Sequence, residues 1–193
     1  SCAAGPVDRR RVAGARGLTK AEIADSCLAR AVLAGDIDAA RAAHRAGGDL
    51  SHPVPEEMAS TFDARPGVGN TWLHALASSG AEISPDVMCE MGALASDLNA
   101  ANRHGETPLH FAAVIASPRQ VAAYAAVGMD ARARDRDGSS PATWAAEARR
   151  NESARALHRA RMAGRAAAVA DRAAAMVSRE TAPIAPARGH AID

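Results

Sequence analysis

The sequence predicts an all-α protein made of about four helix-turn-helix repeats, with an extra C-terminal helix. Hydrophobic residues form 48% of the chain, but only two Trp, one Tyr and two Phe are among them. Alanine must therefore supply much of the core, and alanine favours helices that approach one another closely. No stretch alternates apolar and polar residues in the way that half-buried strands do. The third observation is a motif that recurs at a nearly constant spacing.

The repeated motif is clearest at residues 105–113, which read Gly-Glu-Thr-Pro-Leu-His-Phe-Ala-Ala. Thirty-six residues upstream, residues 69–77 read Gly-Asn-Thr-Trp-Leu-His-Ala-Leu-Ala. Thirty-three residues downstream, residues 138–146 read Gly-Ser-Ser-Pro-Ala-Thr-Trp-Ala-Ala. Three copies in register indicate a repeated structural unit rather than a chance match.

Each position of the motif has a physical role in starting a helix. Gly105 permits the positive φ of a tight turn, and the hydroxyl of Thr107 caps the helix that follows. Pro108 suits the first helical turn, where a missing N–H costs nothing. Further along, Pro118 starts a second helix and Gly128 ends it. The motif thus predicts one helical hairpin for each copy.

In spacing and wording the motif resembles the ankyrin repeat, whose unit is a β-turn followed by two antiparallel helices. The resemblance covers about residues 18–164 and implies a solenoid of stacked hairpins. It implies that His74 and His110 are structural, each bonding the Thr of its own motif and the neighbouring backbone. It also implies that a partner binds on the concave face, which is formed by the hairpin tips and the solvent side of each first helix.

The first and last copies depart from the motif, as terminal repeats do when one face meets solvent. The first copy reads Ser-Cys-Leu-Ala at residues 26–29, and the last has Ala142 and Thr143 in place of Leu and His. Between the first two copies an inserted loop, residues 51–69, is rich in Pro and Gly. Long loops in compact domains are usually functional or mobile.

The chain is expected to divide into four segments. Residues 1–17 form a flexible N-terminal segment, and residues 18–164 form the repeat domain with its inserted loop. Residues 165–180 are rich in alanine and form a C-terminal capping helix. Residues 181–193, which contain two prolines and a glycine, form a disordered tail.

The candidate partner-binding surface is transferred from the ankyrin resemblance position by position. Within it, Val114 and Ile115 are apolar at positions expected to face water. Either a partner contacts them or the loop 51–69 covers them. The resemblance implies the following contact residues: Asn70, Ser78, Ser79, Ala101, Arg103, His104, Glu106, Val114, Ile115, Arg134, Arg136, Asp137, Ser139 and Glu147.

These features favour a scaffold, adaptor or inhibitor, expected to be monomeric, that binds another protein of unknown identity. The sequence predicts no catalytic residues, metal ligands or cofactors, so an enzyme is not expected. A first alternative is a secreted bacterial effector or toxin-associated protein with its activity on the loop 51–69. That alternative requires a closed pocket beside His74 or His104. The loop residues it invokes are His52, Glu56, Glu57 and Asp63.

The three cysteines, Cys2, Cys27 and Cys89, lie far apart, so neither structural disulfides nor a zinc cluster is expected. Cys27 and Cys89 fall within predicted helices and are expected to be buried as small hydrophobes. Cys2, within Ser-Cys-Ala-Ala-Gly, resembles the lipidated cysteine of bacterial lipoproteins. A cytoplasmic location is favoured, with a secreted protein or a periplasmic lipoprotein as the alternative. Membrane attachment is expected only if Cys2 is lipidated.

Charge is distributed unevenly along the chain. Residues 18–100 carry twelve acids and five bases, whereas residues 101–193 carry nine acids and fourteen bases. Such asymmetry orients charged partners. The Arg-rich stretch 149–172 supplies a second alternative, binding to nucleic acid or to an anionic membrane. A solvated helix face explains the same pattern without aromatic interleaving, so nucleic acid is not the expected partner.

Overall fold

The computed structural model describes residues 17–59 and 68–180. Within these ranges the regular structure is helical, apart from an isolated β-bridge between Pro53 and Thr71. The prediction of an all-α fold is therefore confirmed for the described residues. The helices are α1 (Lys20–Ala34), α2 (Ile37–Arg45), α3 (Glu56–Ala59), α4 (Trp72–Ser78), α5 (Pro85–Leu94), α6 (Pro108–Ile115), α7 (Pro118–Ala126), α8 (Pro141–Glu147) and α9 (Asn151–Glu180).

The helices begin where the sequence places caps and prolines. In α1 the side chain of Thr19 accepts a hydrogen bond from the backbone of Glu22 at 3.2 Å, and the Glu22 carboxylate accepts one from the Thr19 N–H at 2.7 Å. In α8 the hydroxyl of Ser140 accepts from the N–H of Thr143 at 3.3 Å. Proline occupies the first turn of α5, α6, α7 and α8. These short-range signals fix helix starts independently of the tertiary packing.

Two pairs of consecutive helices pack as hairpins, and four helices form a row. Helix α1 contacts α2, and α6 contacts α7. Helices α1, α4, α6 and α8 lie in sequence, each in contact with the next, while α2 contacts α5. Leu28, Leu73 and Leu109 occupy the same motif position in three of these helices, and all are at most 1% exposed. Ala112 and Ala113 are fully buried, as the motif predicts, so neighbouring backbones can approach closely.

Two tight turns, which we call the hairpin tips, precede α6 and α8. They comprise residues 102–106 and 135–139, and in each the N–H of the first residue donates to the carbonyl of the last, at 2.9 and 3.0 Å. The N–H of Arg136 donates to the carbonyl of His104 at 2.9 Å, which links one tip to the next. Gly105 and Gly138 have φ of 77° and 79°, the left-handed values that the motif requires.

The C-terminal helix begins earlier than expected. Helix α9 runs without interruption from Asn151 to Glu180, so no helix boundary falls at residues 164–165. A glycine inside a helix costs only about 1 kcal/mol relative to alanine, and Gly164 is followed by Arg165 and then by three consecutive alanines. The chain divides into two compact units, residues 1–160 and 161–193. Within the second unit, the described residues are the remainder of α9.

Several predicted segments fall outside the described residues. They are the N-terminal segment up to residue 16, the central part of the inserted loop (residues 60–67) and the tail (residues 181–193). Among the described helices, none combines the length and apolar character needed to cross a bilayer.

The two cysteines in the described ranges do not match their predicted burial. Cys89 is exposed and Cys27 is half-buried, so the prediction of a buried Cys89 was wrong. Helix α5 points Val87, Met88 and Met91 into the core instead. Cys89 lies on the opposite side of this helix. Its exposure was not predicted because its neighbours in the sequence are mostly apolar.

Candidate functional site

The histidine of the second motif copy ties its helix to the next hairpin tip. Nδ1 of His74 accepts from the N–H of Thr71 at 3.1 Å and from its hydroxyl at 2.8 Å. Nε2 of His74 donates to the carbonyl of Glu106 at 2.9 Å. Burial lowers the pKa of His74 to about 4, so the ring is neutral at pH 7 with its proton on Nε2. Both ring nitrogens are occupied, which leaves neither available for proton transfer.

His110 repeats this arrangement one unit further along. Its Nδ1 accepts from the N–H and the hydroxyl of Thr107, both at 3.0 Å. Its Nε2 donates to the carbonyl of Ser139 at 3.2 Å. Burial also holds the pKa of His110 below its usual value. The hydrogen bonds that the ankyrin resemblance implies for both histidines are therefore present.

Aromatic rings form a row across α4, α6 and α8. The ring centroids of His74 and Phe111 are 5.4 Å apart with an edge-on geometry, and those of Phe111 and Trp144 are 5.8 Å apart. His110 also packs edge-on against Trp144, at 5.3 Å. The indole Nε1 of Trp144 donates to Oδ2 of Asp135 at 2.9 Å, which fixes the ring against a hairpin tip. Both Phe111 and Trp144 are half-buried, so this row has an accessible side.

Phe111 and Trp144 are not among the contact residues predicted from the sequence. The sequence does contain a signal for this pair, because the two residues occupy the same position in successive copies of the motif. Two of the five aromatic residues in the chain thus lie side by side on neighbouring first helices.

The predicted apolar contacts lie at the C-terminal end of the same helix, α6. Val114 is half-buried, and Ile115 is 44% exposed. The guanidinium of Arg150 donates to the carbonyls of Ile115 and Ala116, at 3.4 and 2.5 Å, and so satisfies the end of α6. The loop 51–69, which is the alternative cover for Val114 and Ile115, includes residues 60–67, and these lie outside the described part of the chain.

Charged residues are exposed on the two hairpin tips. Arg103, His104, Arg136 and Asp137 are all exposed. Asp135 differs from them, because its carboxylate accepts hydrogen bonds from Trp144 and from the backbone of its own tip. Burial opposes its ionisation, but hydrogen bonds from Trp144 and from the tip backbone outweigh that effect and hold its pKa below the usual value. The tip that carries Arg136 is therefore internally braced.

Some predicted contact residues are engaged in internal hydrogen bonds. The side-chain Oδ1 of buried Asn70 accepts from Nδ2 of Asn102 at 2.8 Å, and the carboxylate of half-buried Glu106 accepts from the same amide at 2.6 Å. The hydroxyl of Ser78 donates to a carbonyl of its own helix at 3.1 Å. The guanidinium of Arg134 donates to the carbonyl of Gly138. These side chains brace the tips and helix ends.

The remaining predicted contact residues vary in exposure. Ser139 is half-buried within its tip, and its N–H donates to the carboxylate of Asp135 at 2.8 Å. Ser79 is exposed and ends α4, where its hydroxyl donates to the carbonyl of Leu76 at 2.7 Å. Ala101 and Glu147 are exposed. The predicted set therefore splits into an exposed group around α6 and the tips, and a group committed to internal bonds.

A polar cluster that the sequence did not reveal lies at the start of the inserted loop. The buried carboxylate of Asp25 contacts Nδ1 of His52 at 3.1 Å and accepts from the N–H of Asp49 at 2.7 Å. Burial raises the pKa of Asp25 despite these favourable contacts. Asp49 in turn accepts from Ser51 and Ser96, and these bonds lower its pKa to about 2 even though burial opposes them. The cluster fastens α1 to the loop.

The structure brings His52 to Asp25 and leaves Glu56 and Glu57 exposed on α3. Asp63 lies outside the described residues. The hydroxyl of Ser51 is bonded to Asp49 rather than to His52. Across the described ranges, no group of three or more His, Cys, Asp and Glu side chains is arranged to hold a metal ion.

The described part of the Arg-rich stretch lies along α9. Arg155, His158 and Arg159 are exposed, and they recur at the three- and four-residue spacing of one helix face.

Comparison with protein-family models gives no match for this chain, and comparison with curated proteins gives no significant match.

Proposed function

We propose that this chain is an ankyrin-repeat protein that binds a partner protein across α6 and α8. The proposed centre of contact, called the aromatic surface below, comprises Phe111, Val114, Ile115 and Trp144. The observation that carries this proposal is the Phe111–Trp144 pair, whose half-buried rings lie 5.8 Å apart on neighbouring helices.

Two kinds of observation support the ankyrin assignment: the local motif at helix starts and the packing of helices against one another. The second, third and fourth motif copies each begin at a positive-φ glycine, and the threonine or serine of each precedes its first helix. The motif histidines bond the next hairpin tip, and first helices contact first helices along a row. A repeat protein is stabilised by such nearest-neighbour contacts between similar units.

The chemistry of the aromatic surface suits a protein partner. Aromatic residues supply large, rigid contact areas, and they are enriched at the energetically important centres of interfaces. Trp144 is held by Asp135, so little side-chain freedom is lost when it is covered. Arg103 and Arg136 are exposed on the adjacent tips. A partner with an apolar side chain bordered by carboxylates fits this combination, because rim charges steer encounter while the buried centre supplies affinity.

A matched pair of substitutions tests the location of the surface. Ile115 and Ile23 are both exposed isoleucines on helices, at 44% and 49%. The wild-type chain would be used to capture and identify a partner, whose affinity for Ile115→Asp and Ile23→Asp would then be measured by calorimetry. We expect Ile115→Asp to weaken binding by at least about tenfold, since a charge would be buried at an interface centre. Ile23→Asp should bind like wild type.

Thermal melting accompanies each affinity measurement. An unchanged melting temperature with lost binding for Ile115→Asp supports a contact surface. A large fall in melting temperature instead indicates that Ile115 is covered within the fold. Full affinity of Ile115→Asp, or equal losses for the two variants, would reject the aromatic surface as the site. Phe111→Ala, which removes an aromatic ring from the centre of the aromatic surface, provides a second affinity measurement.

A further inference from the structure

A buried carboxylate on α1 is shared by the turn that follows α2 and the start of the inserted loop. Asp25 is 1% exposed, whereas the side chain of His52 is 47% exposed. Nδ1 of His52 lies 3.2 and 3.1 Å from the two carboxylate oxygens of Asp25. The N–H of Asp49 donates to the same carboxylate at 2.7 Å. This cluster shares no residue with the aromatic surface, and its behaviour is independent of the proposed function.

The two donors to Asp25 differ in how firmly they are held. Asp49 follows Gly48, whose backbone lies close against α1: a Cβ on Gly48 would be 2.8 Å from the carbonyl oxygen of Ala24. The N–H of Asp49 is therefore fixed beside the carboxylate. His52 contacts Asp25 through a half-exposed side chain, so it is the donor that can be withdrawn.

His52 also forms the base of the inserted loop. Its carbonyl accepts from the N–H of Trp72 at 3.1 Å, and the N–H of Val54 donates to the carbonyl of Asn70 at 2.8 Å. Val54 is half-buried and packs against the core, as does Met58 in α3. Movement of His52 away from α1 would therefore disturb these two backbone hydrogen bonds and expose the apolar side chains beside them.

The charge of His52 decides how well the buried carboxylate is stabilised. Burial raises the pKa of Asp25, and the N–H of Asp49 and His52 lower it to a smaller extent, while the Asp49 carboxylate adds to the rise. An acid whose folded-state pKa is raised costs stability once it is ionised, that is, as pH rises through that pKa. A charged imidazole offsets this cost, because it places a positive charge beside the carboxylate. Histidine is the side chain that ordinarily loses its charge between pH 5 and pH 8, so the offset disappears as pH rises.

Other titratable or charged side chains lie on the elements around this pair. On α4, which contacts α1, the titratable residue is His74, whose pKa is lowered to about 4, so it is neutral from pH 6 to pH 8. On α2, Nδ1 of His44 lies 2.7 Å from the carbonyl oxygen of Gly48, so His44 must be distinguished from His52 by experiment. The other charged side chains on α1, α2, α3 and the adjoining turns are Lys20, Glu22, Arg30, Asp36, Asp38, Arg41, Arg45, Asp49, Glu56, Glu57 and Asp97.

We propose that the contact between Asp25 and His52 is a pH-sensitive hold on the start of the inserted loop, firm while His52 is charged and weakened when it becomes neutral. A neutral imidazole can still donate from Nδ1, but it leaves the buried carboxylate without a neutralising charge and beside the carboxylate of Asp49. Rising pH then loosens residues 52–54 and exposes Val54 and Met58. Protonation of histidine is a common basis of such switches.

The test measures hydrogen–deuterium exchange of the full-length chain at pH 6 and pH 8, with each rate divided by the intrinsic rate at that pH. The N–H groups of Val54 and Trp72 report on the loop base, and the N–H of Arg136, which bonds the carbonyl of His104, is the reference. In wild type we expect protection of Val54 and Trp72 to fall several-fold from pH 6 to pH 8, with no fall at Arg136. Neutralisation of His74 stabilises the fold as pH rises, so it acts in the opposite direction.

Two variants assign the effect to the pair. His52→Gln keeps a side-chain N–H donor but cannot carry a charge, so protection of the loop base should be low at both pH values. Asp25→Asn keeps an acceptor for the N–H of Asp49 and removes the buried charge, so protection should not change with pH. Circular dichroism checks that each variant is folded. If Asp25→Asn does not fold, His52→Gln decides alone, because its side chain is half-exposed.

His158→Gln, at an exposed histidine on α9, is the matched control and should keep the wild-type pH dependence. Equal protection of the loop base at the two pH values in wild type would overturn the proposal. A wild-type pH dependence in His52→Gln would also overturn it, because the effect would then belong to another group such as His44.

Discussion

Each motif histidine joins its own copy of the motif to the next hairpin tip through a single side chain. His110 is fully buried and bonds Thr107 on one side and the carbonyl of Ser139 on the other. A smaller apolar residue would strand both partners in the interior. Because unpartnered buried groups cost more than a hydrogen bond contributes when it is formed, we expect a large effect from one substitution.

His110→Ala should lower the free energy of unfolding by about 1–3 kcal/mol. The loss would be measured by urea denaturation at pH 7, with helix content followed by circular dichroism. Exposed His158, on α9, supplies the control. His158→Ala should change stability little, and equal stabilities of the two variants would contradict the structural role of His110.

Acidification should destabilise the protein through the buried histidines. The folded-state pKa of His74 is lowered to about 4, whereas the unfolded chain has the ordinary value near 6.5. Between these values the unfolded state binds more protons, so stability rises with pH across this window and falls on acidification. From pH 7 to pH 5 the loss is about 2 kcal/mol for such a group.

The comparison of wild type with His74→Ala isolates this contribution. Unfolding free energies at pH 5 and pH 7 should differ less in the variant than in wild type. Asp25, whose pKa is raised by burial, is present in both chains and affects both equally. An unchanged pH dependence in His74→Ala would show that His74 is not buried in its neutral form.

At the scale of elements, the hairpin tips depend on glycines with the same backbone conformation but different surroundings. Gly105 and Gly138 have φ of 77° and 79°. A Cβ on Gly105 would lie 3.1 Å from the backbone nitrogen of Arg136, whereas a Cβ on Gly138 would meet no atom within 4 Å. Strain in φ is therefore shared by the two sites, and the steric clash is confined to Gly105.

Gly138→Ala should lower the unfolding free energy by about 1 kcal/mol through φ strain alone. Gly105→Ala should lose more, because the new methyl group pushes against the backbone of the next tip and threatens the bond between Arg136 and His104. Differential scanning calorimetry of the two variants provides the measurement. Gly105→Ala as stable as Gly138→Ala would mean that the tips are free to separate.

The elements also show what sequence can and cannot predict. Caps, prolines and turn glycines act within a few residues, so helix starts and the tips at 102–106 and 135–139 were predictable. The exposure of Phe111 and Trp144, by contrast, depends on which helices pack beside them. The pairing of Asp25 with His52 is also not local, because it joins residues 27 positions apart. Cys89 was misplaced because an apolar neighbourhood in sequence does not specify which side of α5 faces inward.

At the scale of the whole molecule, charge is segregated along the chain, with acids prevailing in residues 18–100 and bases in residues 101–193. Exposed Arg136 belongs to the basic half and lies on the tip beside the aromatic surface. A long-range field of this kind acts on the rate of encounter and is screened by salt within about 10 Å at 0.1 M.

Arg136→Ala should therefore slow association with an acidic partner and reduce the salt dependence of the association rate, with little change in dissociation. Stopped-flow or surface-based kinetics at several salt concentrations would measure both rates. Arg30, an exposed arginine in the acidic half, is the control. A faster dissociation of Arg136→Ala would place this residue at the interface centre rather than at its rim.

The two tryptophans of the chain occupy contrasting surroundings: Trp72 in α4 is fully buried, whereas Trp144 in α8 is half-buried. Their fluorescence should respond to different events. Acrylamide should quench Trp144 in the native protein and spare Trp72. A bound partner should protect Trp144 while leaving the emission of Trp72 unchanged, and unfolding should make both accessible. Intrinsic emission can thus separate occupancy from denaturation without a label.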